Sequence, residues 1–182
     1  MMPPAFLEWI NNYLTISAHP AKKSMKDDWW QEYDLVVNLS DHINHRLHTQ
    51  ISSQGIPVFW FPMGETYGMP LENIFGALSI LWEAEKNNHT VFMHCMAGRN
   101  RSVTIADCYY FIRQGKHRVD NSGDVSYGKN ISNKLLLNIN DNQLPGIYRM
   151  EHFLKKCREL FDNPKLADDA YIDWLKKETF GY

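Results

Sequence analysis

Cys95 is the residue of this chain with the most chemistry gathered around it. It sits in His94-Cys95-Met96-Ala97-Gly98-Arg99-Asn100-Arg101-Ser102, between the apolar, β-prone Val91-Phe92-Met93 and the helix-like SVTIADCYYFI that begins at Ser102. A loop that leaves the C-terminal end of a strand and opens a helix is an anion site in α/β folds. The first backbone N–H groups of the helix lack internal partners, and the helix dipole adds partial positive charge. Gly98 lets the loop curl so that successive N–H groups of residues 96–101 converge as a nest. Arg101 can offer a bidentate fork to two oxygens of a tetrahedral anion. A thiol in that field is expected to ionise more readily than a free cysteine. A thiolate beneath a bound phosphate is placed for in-line attack on phosphorus, with the N–H groups and Arg101 stabilising the equatorial oxygens. Ser102 can donate a hydrogen bond to the thiolate, and His94 is expected to hold the loop rather than act as a base.

The elements needed to position this loop are legible in outline. Residues 34–40 (DLVVNLS), 56–61 (IPVFWF) and 90–94 (TVFMH) read as short buried strands. Residues 70–87 carry Ile74, Phe75, Ala77, Leu78, Leu81 and Trp82 at helical spacing, with Pro70 suited to a first turn. Strand, helix, strand over this distance predicts a βαβ unit with parallel strands. Residues 102–113 continue as a helix that Gly115 can end. From Pro145 a further helix carries Ile147, Met150, Phe153, Leu154, Cys157, Leu160 and Phe161 as an apolar stripe, and an amphipathic segment closes the chain. FLEWINNYL near the N-terminus suits a short helix or an edge strand. The polar stretch 116–143 reads as an insertion or lid. The expectation is one α/β domain over 1–182: a central, mostly parallel sheet of four or five strands with helices on both faces.

Composition narrows the classes. Net charge is −2, so there is no basic footprint for bulk nucleic-acid binding. The three cysteines, Cys95, Cys108 and Cys157, are an odd number at no metal spacing, which suits a reducing compartment, hence a cytoplasmic protein, and argues against a disulfide framework or a zinc site. No basic region followed by a long apolar run marks a signal peptide, and no apolar run is long enough to span a bilayer. A monomer without metal or cofactor is the expectation.

A cysteine with His before it, Gly three places on, Arg six places on and Ser after that Arg arises by chance on the order of 3 times in 100,000 such chains. The motif His-Cys-x-x-Gly-x-x-Arg-Ser resembles the phosphate-binding loop of the cysteine-dependent protein tyrosine phosphatases, in their dual-specificity branch. DLVVNLS, IPVFWFP followed by PLENIFGALSIL, and PGIYRMEHFLKKC resemble, more loosely, the family's strands, acid loop and late helix; 116–143 is unmatched. The resemblance implies a two-step hydrolysis through a phosphocysteine on Cys95, with no metal. His94, Met96, Ala97, Gly98, Arg99, Asn100 and Arg101 would surround the substrate phosphate, and phosphate, sulfate or vanadate would occupy the loop.

The chain departs from the family where the family places an aspartate as general acid. No aspartate occurs from 42 to 94. In FPMGETYGMP (61–70), Glu65 is the favoured acid, a longer arm with the same chemistry, and Tyr67 could stack on an aryl group. Asp41, just past the DLVVNLS strand, is the alternative, and a third reading has no acid at all. Arg99 belongs at the rim, where it could meet substrates with more than one phosphate: phosphoinositides, phospholipid phosphates or RNA 5′ ends. Beside a phosphatase acting on phosphoprotein or other phosphomonoesters stand two alternatives: a binding module that grips phosphate without turnover, and sulfur transfer or arsenate reduction.

Other polar features read as structural. His19, Lys22 and Lys23 are expected in a solvated turn, with a place near a phosphate as the minor reading. His42, His45 and His48 are expected on a polar surface segment rather than around a metal. Trp29 and Trp30 are expected in the core, as are Cys108 and Cys157; a reversible disulfide between Cys108 and Cys95 is the minor reading.

Overall fold

A computed structural model describes residues 6–20, 25, 27–64, 69–118 and 146–164. Its centre is a four-stranded sheet, all parallel, in the order β1-β4-β2-β3. The strands are β1 (Leu14–Ser17), β2 (Leu35–Ser40), β3 (Val58–Met63) and β4 (Val91–His94). The two inner strands explain the fold. Leu35, Val37 and Leu39 of β2 and Val91 and Met93 of β4 enter a large core on one face, whereas Val36 and Phe92 enter a second core on the other. A strand apolar on both sides must be covered on both sides, and parallel strands need crossovers that supply the covers.

The large core is closed by α1 (Phe6–Tyr13), α3 (Leu71–Lys86), α4 (Arg101–Gln114) and α5 (Gly146–Asp162). The opposite face is closed by α2 (His45–Ser52), through Leu47 and Ile51, and by a 3-10 turn, Trp29–Glu32, whose Trp29 ring lies 4.2 Å from that of Phe92. Helix α4 runs through the interior: from Ile105 to Ile112 all but Tyr110 are buried. Gly115 ends it in the left-handed region, with its N–H on the Phe111 carbonyl at 2.8 Å. The late helix packs α4 with Met150, Phe153, Leu154, Cys157 and Phe161.

The sheet and its two-sided cover match the sequence reading, and several details correct it. Residues 14–17 form an edge strand of their own after α1, too short to show a period. Strand β3 runs from Val58 to Met63, two residues beyond the expected end. Pro70 stands just before the first turn of α3 as its cap, not within it. The polar HINHRLHTQ segment is helical, capped by Asn44, whose side-chain carbonyl accepts the Leu47 N–H at 3.1 Å. The closing amphipathic segment and nearly all of 116–143 lie outside the described residues. Among the described residues no helix is long and apolar enough to cross a membrane.

Candidate active site

The connection after β2 leads to α2 on one face, and the connection after β4 leads to α4 on the other. Adjacent parallel strands whose connections part in this way leave a crevice at their C-terminal ends, where α/β folds bind ligands. Asp41 stands at the end of β2, and Cys95 opens the loop at the end of β4.

The loop is braced from β1. The Cys95 N–H reaches the Ser17 carbonyl at 3.4 Å, and the His19 N–H donates to the Met96 carbonyl at 3.2 Å. Gly98 takes φ 68° and faces the same segment: a Cβ there would lie 2.5 Å from the Ala18 nitrogen. Both the left-handed backbone and the close approach require glycine.

Cys95 is buried, and its Sγ accepts the Gly98 N–H at 3.2 Å and lies 3.5 Å from the Ser102 hydroxyl. Burial pushes this thiol up. The hydroxyl and N–H of Ser102, the N–H of Gly98 and the Arg101 charge outweigh burial, and the thiol ionises below its ordinary range. No side chain caps the first turn of α4 from Asn100, so its N-terminal N–H groups face the loop. Met96 and Gly98 are half-buried, and Ala97, Arg99 and Asn100 are exposed along the rim.

Arg101 is buried at the base of the site. Its Nη1 donates to the Met63 carbonyl at 2.6 Å and to Asp41 Oδ1 at 3.2 Å. The β3 end that supplies this carbonyl is tied to α3 by Asn73, whose amide donates to the Pro62 carbonyl at 2.6 Å. Three strand ends thus fix one guanidinium: β4 through the chain, β3 through Met63 and β2 through Asp41. That ion pair was not foreseen from the sequence, and an acid's spacing from a strand end is the signal that came nearest to it.

His94 is buried, with Nδ1 3.4 Å from the Cys95 carbonyl, which it can reach only as an N–H donor. Burial and the nearby His19 push its imidazole down to about 3, so it is neutral at physiological pH. His19 is a correction. It is buried rather than solvated, and its ring stands edge-on to His94 at 5.2 Å. Lys22, Lys23, Glu65 and Tyr67 lie outside the described residues. Among the described residues no group of three His, Cys, Asp or Glu stands together as metal ligands would.

Cys108 is buried two helical turns beyond the loop, seven residues from Arg101. At 1.5 Å rise per residue that is about 10 Å along α4, too far for a disulfide with Cys95 in this fold. Burial pushes the Cys108 and Cys157 thiols up, as expected of core residues.

The sequence profile of the dual specificity phosphatase catalytic domain matches residues 18–140, more than half of the chain. Solved structures of similar fold include Tk-PTP in its active form (18% identity, TM-score 0.54, covering 82% of this chain and 94% of that one). DUSP15 is similar at 16% identity and TM-score 0.53, covering 82% and 90% of the two chains. PTPMT1 in complex with PI(5)P is similar at 13% identity and TM-score 0.54, covering 81% and 93%. No curated protein sequence matches the chain significantly. At these identities the structures speak for the fold, and the profile carries the family. With the profile spanning the strand ends, the loop and the helix that opens at Arg101, the chain belongs to the dual specificity phosphatase family, within the superfamily of cysteine-dependent phosphatases.

Proposed function

We propose that this single catalytic domain hydrolyses phosphomonoesters through a phosphocysteine on Cys95, with phosphotyrosine or phosphoserine/threonine protein as substrate. The observation that carries the reading is the set of thiolate-stabilising groups at Sγ, with Gly98 N–H at 3.2 Å, Ser102 Oγ at 3.5 Å and the Arg101 guanidinium in the same loop. The thiolate attacks phosphorus as the ester P–O bond breaks, and a carboxylic acid gives its proton to the departing oxygen. The loop N–H groups and Arg101 take up the charge of the equatorial oxygens. Water, relieved of a proton by the same carboxylate, then attacks phosphorus; the S–P bond breaks, and Ser102 stabilises the departing thiolate.

Glu65 is the acid in this reading and Asp41 the alternative. The contact with Arg101 favours a positioning use for Asp41, because its Oδ1 already accepts from the guanidinium at the base of the loop. A second substrate reading rests on the exposed Arg99 at the rim, next to a loop that holds one phosphate. That cation suits phosphoinositides, phospholipid phosphates or RNA 5′ phosphates. The likeness in fold to PTPMT1, solved in complex with PI(5)P, supports it.

The test is hydrolysis of an aryl phosphate across pH 4.5–8, with chelator and thiol reductant, by wild type, Cys95→Ser, Glu65→Gln and Asp41→Asn. Turnover that vanishes in Cys95→Ser supports the phosphatase. Loss of the basic limb in Glu65→Gln assigns the acid there, and loss in Asp41→Asn moves it. Vanadate binding without turnover in wild type would replace the enzyme by a phosphate-binding module.

A further inference from the structure

A buried polar chain runs beneath Asp41, and its hydrogen-bond directions can be deduced. Asn38 and Ser40 lie on β2, fully buried, on the face covered by α2. Asn38 Oδ1 lies 2.9 Å from the Ser40 backbone nitrogen. A backbone N–H can only donate, so the atom there is the amide oxygen. The Ser40 hydroxyl shares its one proton between that oxygen, at 2.6 Å, and the His42 carbonyl, at 2.7 Å, closing a turn around Asp41. The Asn38 amide nitrogen therefore faces His48 Nε2, 3.0 Å away on α2. An amide NH2 can only donate, so Nε2 must accept, and His48 must be neutral with its proton on Nδ1.

We propose that Asn38 and His48 are positioning residues for the phosphate-binding arginine: His48 accepts from Asn38, Asn38 locks the Ser40–His42 turn, and the turn holds Asp41 against Arg101. The functional meaning of that arginine rests on the phosphatase reading above. The chain has no relaxed form with charged His48. An imidazolium would set an N–H against the Asn38 NH2. Turning the amide over would cure that contact and set the NH2 against the Ser40 N–H. Partial burial first, and then the nearby imidazoles, His45 on its own helix, His19 after β1 and His94 on β4, reinforce the neutral form. Asp41, at the centre of the turn, and Arg101 are already paired with each other.

The experiment uses vanadate as the probe, so that binding is read without turnover. The 15N shifts of the His48 ring are followed against pH in the free protein, and vanadate affinity is measured at matched pH. Wild type is expected to show the Nδ1–H form and to lose vanadate affinity as His48 protonates. His48→Ala should weaken vanadate about five- to tenfold, the effect of one part-buried hydrogen bond. His48→Gln, which can accept in place of Nε2, should restore most of it. Asn38→Asp should invert the dependence, because a carboxylate there needs the imidazolium as its partner; His48 should then titrate at higher pH than in wild type. A His48 proton on Nε2, or equal vanadate affinity in wild type and His48→Ala, overturns the proposal, as does a His48→Gln as weak as His48→Ala. If wild type binds no vanadate, the phosphatase reading falls, while the ring shifts still decide the direction of the Asn38–His48 bond.

Discussion

Gly98→Ala is the perturbation whose cost can be worked from the structure. Gly98 has φ 68°, and an alanine in the left-handed region costs about 1–2 kcal/mol. The new Cβ would lie 2.5 Å from the Ala18 nitrogen and 2.7 Å from the Ser17 carbonyl carbon. Carbon atoms pack at about 3.5–4.0 Å, so either the loop or the end of β1 must withdraw by about 1 Å. Both neighbours are backbone, held to the loop by the Ser17–Cys95 and His19–Met96 hydrogen bonds, so no side chain can swing aside. If the loop withdraws, Gly98 N–H leaves the sulfur, and the nest of N–H groups opens. If the free loop escapes the left-handed penalty by leaving that region, vanadate must restore the strained form on binding, which corresponds to about a five- to thirtyfold loss of affinity. The thiol should ionise at higher pH than in wild type. Vanadate titration and the pH dependence of Cys95 alkylation by iodoacetamide measure the two effects. Wild-type affinity with an unmoved alkylation profile would refute the brace between β1 and the loop.

Three further outcomes follow from the same geometry. Ser102→Ala removes the hydroxyl and keeps the N–H, so the alkylation midpoint of Cys95 should rise, because the thiolate loses the largest of the groups that lower it; an unchanged midpoint would contradict this. His94 is neutral in the fold down to about pH 3, whereas an unfolded histidine takes a proton below about 6.5. The unfolded state binds more protons between those values, so stability contributed here is complete above about pH 6.5 and falls on acidification towards about 3. His94→Asn, which can still donate to the Cys95 carbonyl, should flatten that part of the denaturant-midpoint profile. Tyr109→Phe deletes the hydroxyl that donates to buried Glu85 at 2.5 Å, beside Arg113, and should cost about 1–3 kcal/mol in urea unfolding while leaving kcat unchanged.

The site was legible where its signal is local. Cys95, Gly98, Arg101 and Ser102 lie within eight consecutive residues, and a strand-to-helix loop gives those types one joint use. Strands β2 and β4 were legible as apolar runs because both of their faces are buried. β1 was not, since four residues, LTIS, show neither a run nor an alternation, and only pairing with β4 makes them a strand. His19 and His48 look like solvent-facing polar residues in sequence. His19 is buried by partners distant in the chain, Met96 and His94, and His48 is half-buried against Asn38 across the turn between β2 and α2. The Asp41–Arg101 pair spans sixty residues and has no sequence signature. The general acid is the reverse case, where sequence nominates Glu65 and Asp41 and the described geometry speaks only to Asp41.

The most direct test of the account is to look for the covalent intermediate. Wild type and Cys95→Ser would be mixed with an aryl phosphate in chelator, quenched in acid within a turnover, digested and analysed by mass spectrometry. Wild type should carry one phosphoryl group on the peptide that holds Cys95, and Cys95→Ser none. Turnover with an unmodified Cys95 peptide, or undiminished turnover in Cys95→Ser, would contradict it.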